Sequence, residues 1–467
     1  MTTSALPTPA GTAVAGAAGS SASRPLDAAR VEQVQARISA YDAARRAAGA
    51  AARRRTATVA LLLLGLNASV SFGLSTGLLV GLALMPVWLP SLRLYRGAIL
   101  LAVLALLAVA SGWVIVLSSG ERDLDLTNGL AVSLQVVTTF AGVGLILWTR
   151  RVLPLHRIGL LYGLGFAVGS LPDVPGSENA WKYQLAIPVT VVALALLEQR
   201  PRPLWAPALV LGALAVLAVL NDYRSYLGFC AATVALMLWQ ARPDRGRRVG
   251  APLQVLLLAV CAYLVYRLVT VLLLAGTFGY ELQQRTINQV RQAGSLLLGG
   301  RPEWQATIQL MKAFPTGVGV GAEPTSGDVT LAKQGLARVG LPTKNGYIDH
   351  YMFGGQFKLH SVVADMWSNF GLLGLLLGGV VSLTLLLSLT SAMADRRAVA
   401  LVVFLALTAL WDMAFGPIYS SLPAIAPALG LLLLPRDRAA RAAPRDEPLR
   451  LGRDRAPADD AGAASQR

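Results

Sequence analysis

The sequence predicts an all-α polytopic membrane protein, with about 12 transmembrane helices and one large extracytoplasmic loop before the tenth. Three observations carry this expectation. Of 467 residues, 55% are hydrophobic and 14% charged, where a soluble domain carries about 25% charged residues. The apolar residues fall in runs of roughly the length that crosses a bilayer. The short connections between runs alternate between arginine-rich and arginine-poor, the pattern that keeps basic loops in the cytoplasm. The same rule accounts for the formal net charge of +16 without nucleic acid as a partner.

Taken in order, residues 1–25 are rich in Ala, Ser, Thr and Pro and lack the short apolar core of a signal peptide, so they read as a disordered tail. Residues 26–52 have helix-forming composition, with Val31, Val34 and Ile38 at helical spacing, and read as a solvated cytoplasmic helix. Residues 1–55 are thus a cytoplasmic segment, and Arg53, Arg54 and Arg55 start the threading inside. The expected spans are 56–72, 73–92, 97–118, 127–149, 156–172, 181–197, 203–221, 224–241 and 252–276, then 361–390, 398–415 and 420–435. Arg93 and Arg96, Arg150, Arg151 and Arg157, Arg200 and Arg202, Arg242 to Arg248, and Arg396 and Arg397 then fall inside. The outer connections, such as 121–125, 172–179 and 416–421, are poor in base. Residues 436–467 form a disordered cytoplasmic tail, so both termini are cytoplasmic. Cys230 and Cys261 lie inside apolar runs and imply neither a disulfide nor a metal.

Residues 277–360 are the large outer loop. Its surplus of Lys and Arg reads either as ordinary solvated charge or as a match for an anionic ligand. Three stretches meet on this outer face. In LNDYRSYLGF, Arg224 stands at the turn between the seventh and eighth spans, either anchoring a helix end or meeting a ligand. In GRPEWQATIQLMKAFPTGVGVGAEP, Arg301 opens a helix with Trp304, Ile308 and Met311 on one face, Pro315 ends it, and Gly317, Gly319 and Gly321 follow. Those glycines either form a turn or let a ligand approach the backbone. No Lys-Ser or Lys-Thr follows them, so they are not a nucleotide loop. In LHSVVADMWSNFGLLGLLLGG, His360 stands at the mouth of the tenth span, and Trp367 shares its helix face. Asp365 lies about 140° around that helix from His360. Arg267, well inside the ninth span, either neutralises an anionic ligand or pairs with Asp412 or Asp365. His156, His350 and His360 are the three histidines, and their spacing offers no metal site.

In this order the three stretches resemble the O-antigen ligase and polysaccharide polymerase family of bacterial integral membrane proteins. The shared pattern is an arginine at an outer turn, then GR-x-x-x-W with a downstream P-x-G-V-G-x-G, then a histidine followed by FGLLGLLL, over about 220–380. Two departures stand out: Ser361 follows His360 where the family commonly has Asn, and Arg224 sits in DYRS where Ser-Arg-Gly is usual. The resemblance implies a GT-C-like membrane glycosyltransferase of the inner membrane that needs no metal or other cofactor. Its donor is a glycan on a polyprenyl (undecaprenyl) diphosphate in the outer leaflet of the bilayer. Its acceptor is a sugar on a lipid-linked repeat, for a polymerase, or on lipid A–core, for a ligase, and a chain-length regulator is a further partner. His360, Arg301 and Arg224 are then the catalytic residues, with Arg267, Gly317, Gly319, Gly321, Lys182 and Trp367 binding substrate. A diphosphate leaving group calls for permanently charged bidentate donors, and a histidine near neutrality suits the acceptor proton. The alternatives are a transporter or flippase of lipid-linked glycans and a non-catalytic subunit of a polysaccharide export machinery.

Overall fold

A computed structural model describes residues 28–71, 73–120, 122–200, 203–242, 250–341, 343–344 and 346–436. The tail expected over 1–25, and all but Arg436 of that expected over 436–467, lie outside the described residues. The chain divides into two units, Met1–Ala52 and Arg53–Arg467. Apart from a two-stranded ribbon, Ser69–Ser71 with Leu74–Ser75, the described elements are all helical.

Among the described residues, four helices are long and apolar enough to cross a membrane: Ala98–Ser119, Leu126–Thr149, Pro252–Leu274 and Val362–Ala394. The pair Thr76–Ala83 and Met85–Leu94, bent by 61°, makes a fifth if it counts as one span. Shorter apolar helices, Leu155–Ser170, Trp181–Leu197, Trp205–Leu220, Arg224–Gln240, Ala400–Phe415 and Ile418–Leu432, lie over other expected spans. The beginning differs from expectation. The helix expected over 26–52 does not stop before the first span, because one helix runs Ala28–Leu66. Its Ala-rich stretch holds no breaker where the arginines begin. The second expected span, 73–92, is the bent pair, broken where Pro86 follows Met85.

The connections gather at two opposite ends of the Arg53–Arg467 unit. At one, Arg96 N–H donates to the Leu434 carbonyl and Arg436 N–H to that of Leu94. There too Arg150 donates to the carbonyls of Gly430 and Leu433, and Gln240 Nε2 to that of Ala398. At the other, Asp125 N–H donates to the Gly321 carbonyl, Asn179 to that of Asn221, and Trp304 Nε1 to that of Ala414. Leu126–Thr149 and Ile418–Leu432, the fourth and twelfth expected spans, run parallel, as two even-numbered crossings should: Tyr419 meets Asn128 while Gly430 lies against Ile146.

The segment after His360 departs most from expectation. Inside Val362–Ala394, Gly371 has φ 66° and ψ −149°, a region open to glycine and strained for other residues. Past it the chain runs back on itself. A Cβ at Gly374 would stand 2.0 Å from the Met366 carbonyl oxygen, and one at Gly378 would stand 3.3 Å from Val363 Cα. In a continuous helix residues 363 and 378 are about 22 Å apart. Residues 362–370 and 372–394 are therefore the two arms of a helical hairpin. The single span expected over 361–390, opening at His360, is replaced by a short arm of about 13 Å and a long arm of about 34 Å. Hydropathy sees LLGLLLGG as one apolar run because it carries no information about φ. Close contact of the arms needs Gly374 and Gly378, which have no side chain to separate them. Ser368, on the short arm, offers its carbonyl to the N–H groups of Val318 and Gly319 at 2.9 and 3.0 Å, partners that replace the helical donor carried off by the turn.

Candidate functional site

The site begins at Arg301, one residue before the cap of Glu303–Ala313. This helix starts with Pro302 and an acidic first turn, both favoured at a helix N-terminus. Trp304 Nε1 donates to the Ala414 carbonyl at 2.8 Å, fixing the helix to the end of Ala400–Phe415. The Arg301 guanidinium consequently stands 5.7 Å from the Trp411 ring centroid and 6.0 Å from that of Phe415, at the outer limit of cation–π attraction.

Arg301 and Arg224 open onto one cavity of about 600 Å³. Their end of it also holds Gln289; the remaining wall is apolar, including Phe229, Leu258, Val265 and Leu410. Arg224 begins its helix, and its contacts there are long: 3.6 Å to Asp222 Oδ1, 3.4 Å to Thr286 Oγ1 and 3.2 Å to Gln289 Oε1. The other Asp222 oxygen pairs with Arg285 at 2.6 Å. Long contacts of this kind leave a guanidinium with donor capacity for a planar anion.

The charge of Arg301 also bears on His360. The backbone of His360 has φ 53°, rare for a residue with a Cβ and held only where neighbours impose it. They do so from both sides. Asp365 Oδ1 accepts from Leu359 N–H at 2.8 Å and its Oδ2 from Ile418 N–H at 3.0 Å, while Ser361 Oγ donates to the Met413 carbonyl at 3.0 Å. The imidazole is 8% exposed and stacks on Tyr351, with centroids 4.5 Å apart and planes at 13°. Nδ1 lies 2.8 Å from the Lys358 carbonyl. A carbonyl only accepts, so Nδ1 carries the proton and Nε2 presents a lone pair. Burial pushes the His360 pKa below the ordinary range; Glu303 opposes this and Arg301 adds to it. The ring is therefore neutral at pH 7.

Sequence reasoning missed three neighbours. Glu303 is 4% exposed and accepts from the Tyr347 hydroxyl. Tyr347 packs on Tyr351, centroids 5.0 Å apart. Glu303 was readable as the acid two residues after Arg301. The tyrosines were not, because they meet the histidine only through a π-turn, Tyr347–Met352, which has no sequence signature.

Several expected site residues stand elsewhere. Trp367 is 1% exposed and donates from Nε1 to the Pro315 carbonyl. It is core, since the short arm lies between the glycine segment and the long arm. Gly317, Gly319 and Gly321 lie against the chain itself. They are buried, with φ of 90°, 102° and 71°, and added Cβ atoms would strike Trp367 O, Val116 N and Asp125 O at 2.6–2.7 Å. Their bareness lets this segment thread between helices. Arg267 is exposed on the same helix face as Leu264, Leu268 and Val271, opposite the cavity wall. Asp365 is held by backbone N–H groups instead of by Arg267. Lys182 lies partly exposed with Nζ 5.1 Å from the Tyr183 ring centroid. Among the described residues no three His, Cys, Asp or Glu side chains group to hold a metal ion. None of the family models, characterised proteins or solved structures compared with the chain matches it.

Proposed function

We propose that this protein is an inner-membrane glycosyltransferase that moves a glycan from a polyprenyl diphosphate to an acceptor sugar on the outer leaflet, as a polysaccharide polymerase or O-antigen ligase. One observation carries the reading. Arg301 belongs to two places at once: it closes the polar end of a cavity whose other walls are apolar helices, and its charge bears on a buried neutral histidine. An isoprenoid chain suits the apolar wall, and a diphosphate suits the two arginines at its end. The acceptor hydroxyl gives its proton to His360 Nε2 as its oxygen bonds to the anomeric carbon. The bond from that carbon to the phosphate oxygen breaks, and the negative charge gathering on the departing diphosphate is met by Arg301 and Arg224. The reading includes twelve crossings, cytoplasmic termini and residues 277–360 outside. The two-ended clustering of the connections and the parallel run of Leu126–Thr149 and Ile418–Leu432 support that topology.

The test replaces the native copy in cells and follows long glycan chains, or glycan on its acceptor, at equal membrane abundance. His360→Ala is expected to lose roughly two to four orders of magnitude in turnover while undecaprenyl diphosphate still binds the purified protein. Arg301→Lys keeps the charge, loses the bidentate fork and is expected to fail. Near-normal product from His360→Ala removes the catalytic role and favours a flippase, which has no acceptor proton to move.

A further inference from the structure

We infer that Glu303, Tyr347 and Tyr351 form a column that positions His360, fixing its ring plane. The inference deepens the transfer reading and rests on it for its use in catalysis. The column is continuous. The Glu303 carboxylate accepts from the Tyr347 hydroxyl, Tyr347 packs at 5.0 Å on Tyr351, and Tyr351 stacks at 4.5 Å on the imidazole.

Each contact has a physical reason to persist. A carboxylate shut away from water is costly unless it is hydrogen-bonded, and the Tyr347 hydroxyl meets that need. The two tyrosines lie four residues apart in a single π-turn, so locking one orients the other. Near-parallel stacking leaves the imidazole one plane, and the Lys358 carbonyl leaves it one tautomer. The left-handed backbone at His360 shows that this placement is imposed: without its neighbours the residue would relax. A base that must meet a hydroxyl along one line gains from such fixation, since misplacement by about 1 Å can cost a hundredfold in rate.

The charged and titratable groups that bear on the ring are Glu303 and Arg301 on one side, Lys358 beside it in the chain, and Tyr351 beneath it. Of these, only Glu303 favours the protonated imidazole by its charge. Tyr351 is 49% exposed and makes no ion pair with the ring, so its part is geometric.

The experiment reads His360 directly, apart from any transfer activity. The full chain in detergent is treated with diethyl pyrocarbonate over a range of pH, and modification of the His360 peptide is followed by mass spectrometry beside those of His156 and His350. Glu303→Gln keeps an acceptor for Tyr347 but removes the charge, so the pH of half-maximal reaction at His360 falls. Tyr351→Ala frees the ring and speeds its modification; Tyr351→Phe keeps the stack and behaves as the unaltered protein. In the transfer assay Tyr351→Ala is expected to lose about 10- to 100-fold in kcat with the donor KM little changed, and Tyr351→Phe to restore it. His360 reactivity that ignores both Glu303→Gln and Tyr351→Ala would overturn the column. If Tyr351→Ala does not fold, an unshifted curve for Glu303→Gln overturns it alone. An active His360→Ala protein would instead sink the transfer reading and leave the labelling result for the column standing.

Discussion

The hairpin at Gly371 can be tested by linking its arms. A Cβ built on Gly378 lies 3.5 Å from Val363 Cβ, inside the range of about 3.5–4.5 Å that a disulfide spans. In a continuous helix the same positions are about 22 Å apart, beyond any disulfide. The variant carries Val363→Cys and Gly378→Cys, with the two native cysteines changed to alanine. Losing the Val363 methyls also clears the atom closest to the new side chain, 3.2 Å away. Mild oxidation is expected to join the two cysteines within one chain. Chymotryptic cutting at Phe370 and the leucines beyond it would then leave two peptides held by a reducible bond. A bridge closing about 15 residues contributes up to about 3 kcal/mol through chain entropy, so the oxidised variant should also unfold at higher temperature than its reduced form. Separate peptides under every oxidant that links a known close pair would refute the reversal.

Two further predictions concern the outer loop and acid. Arg122 and Asp328 form a bidentate pair at 2.9 and 3.2 Å with side chains 6% and 1% exposed; Arg122→Met alone should cost about 3–5 kcal/mol, read by thermal unfolding in detergent, and adding Asp328→Leu should recover part of it. His360 is held neutral, with its pKa below the unfolded value of about 6.5, so the unfolded chain takes up the proton first on acidification. Stability should fall as pH drops below about 6.5, transfer should fall at the lower pH where the folded ring takes up its proton, and a His360→Gln protein should lose that part of the stability slope.

Much of the fold could be read in advance because hydropathy and arginine placement report on solvent, and solvent decides where apolar helices end. Arg150, Arg96 and Arg242 gather at one end, as their spacing demanded. Arg301 and His360 were legible as chemistry-bearing types in an unusual setting. What was missed depends on φ and on which face of a helix is covered. Gly371 reverses the chain within an unbroken apolar run. Arg267 sits one position away from the face that Tyr266 turns to the cavity. Trp367 shares a helix face with His360 on paper, but His360 precedes the helix in a left-handed conformation, so the two side chains do not share a surroundings. The glycine segment was read as permitting close approach, and it does: what approaches is the chain itself.

The clasp around Gly371 bears on how the protein is made. A Cβ on Gly371 would touch Thr316 O at 2.5 Å and Ile115 Cδ1 at 2.6 Å, groups that leave the ribosome long before it. Neither arm of the hairpin can seat itself until the Ala98–Ser119 helix and the outer loop are already in position to receive the turn. Non-local closure of this kind is slow compared with local helix formation. His360 thus enters its place late in synthesis, and a chain stalled before the turn would hold Arg224 and Arg301 with the histidine not yet seated.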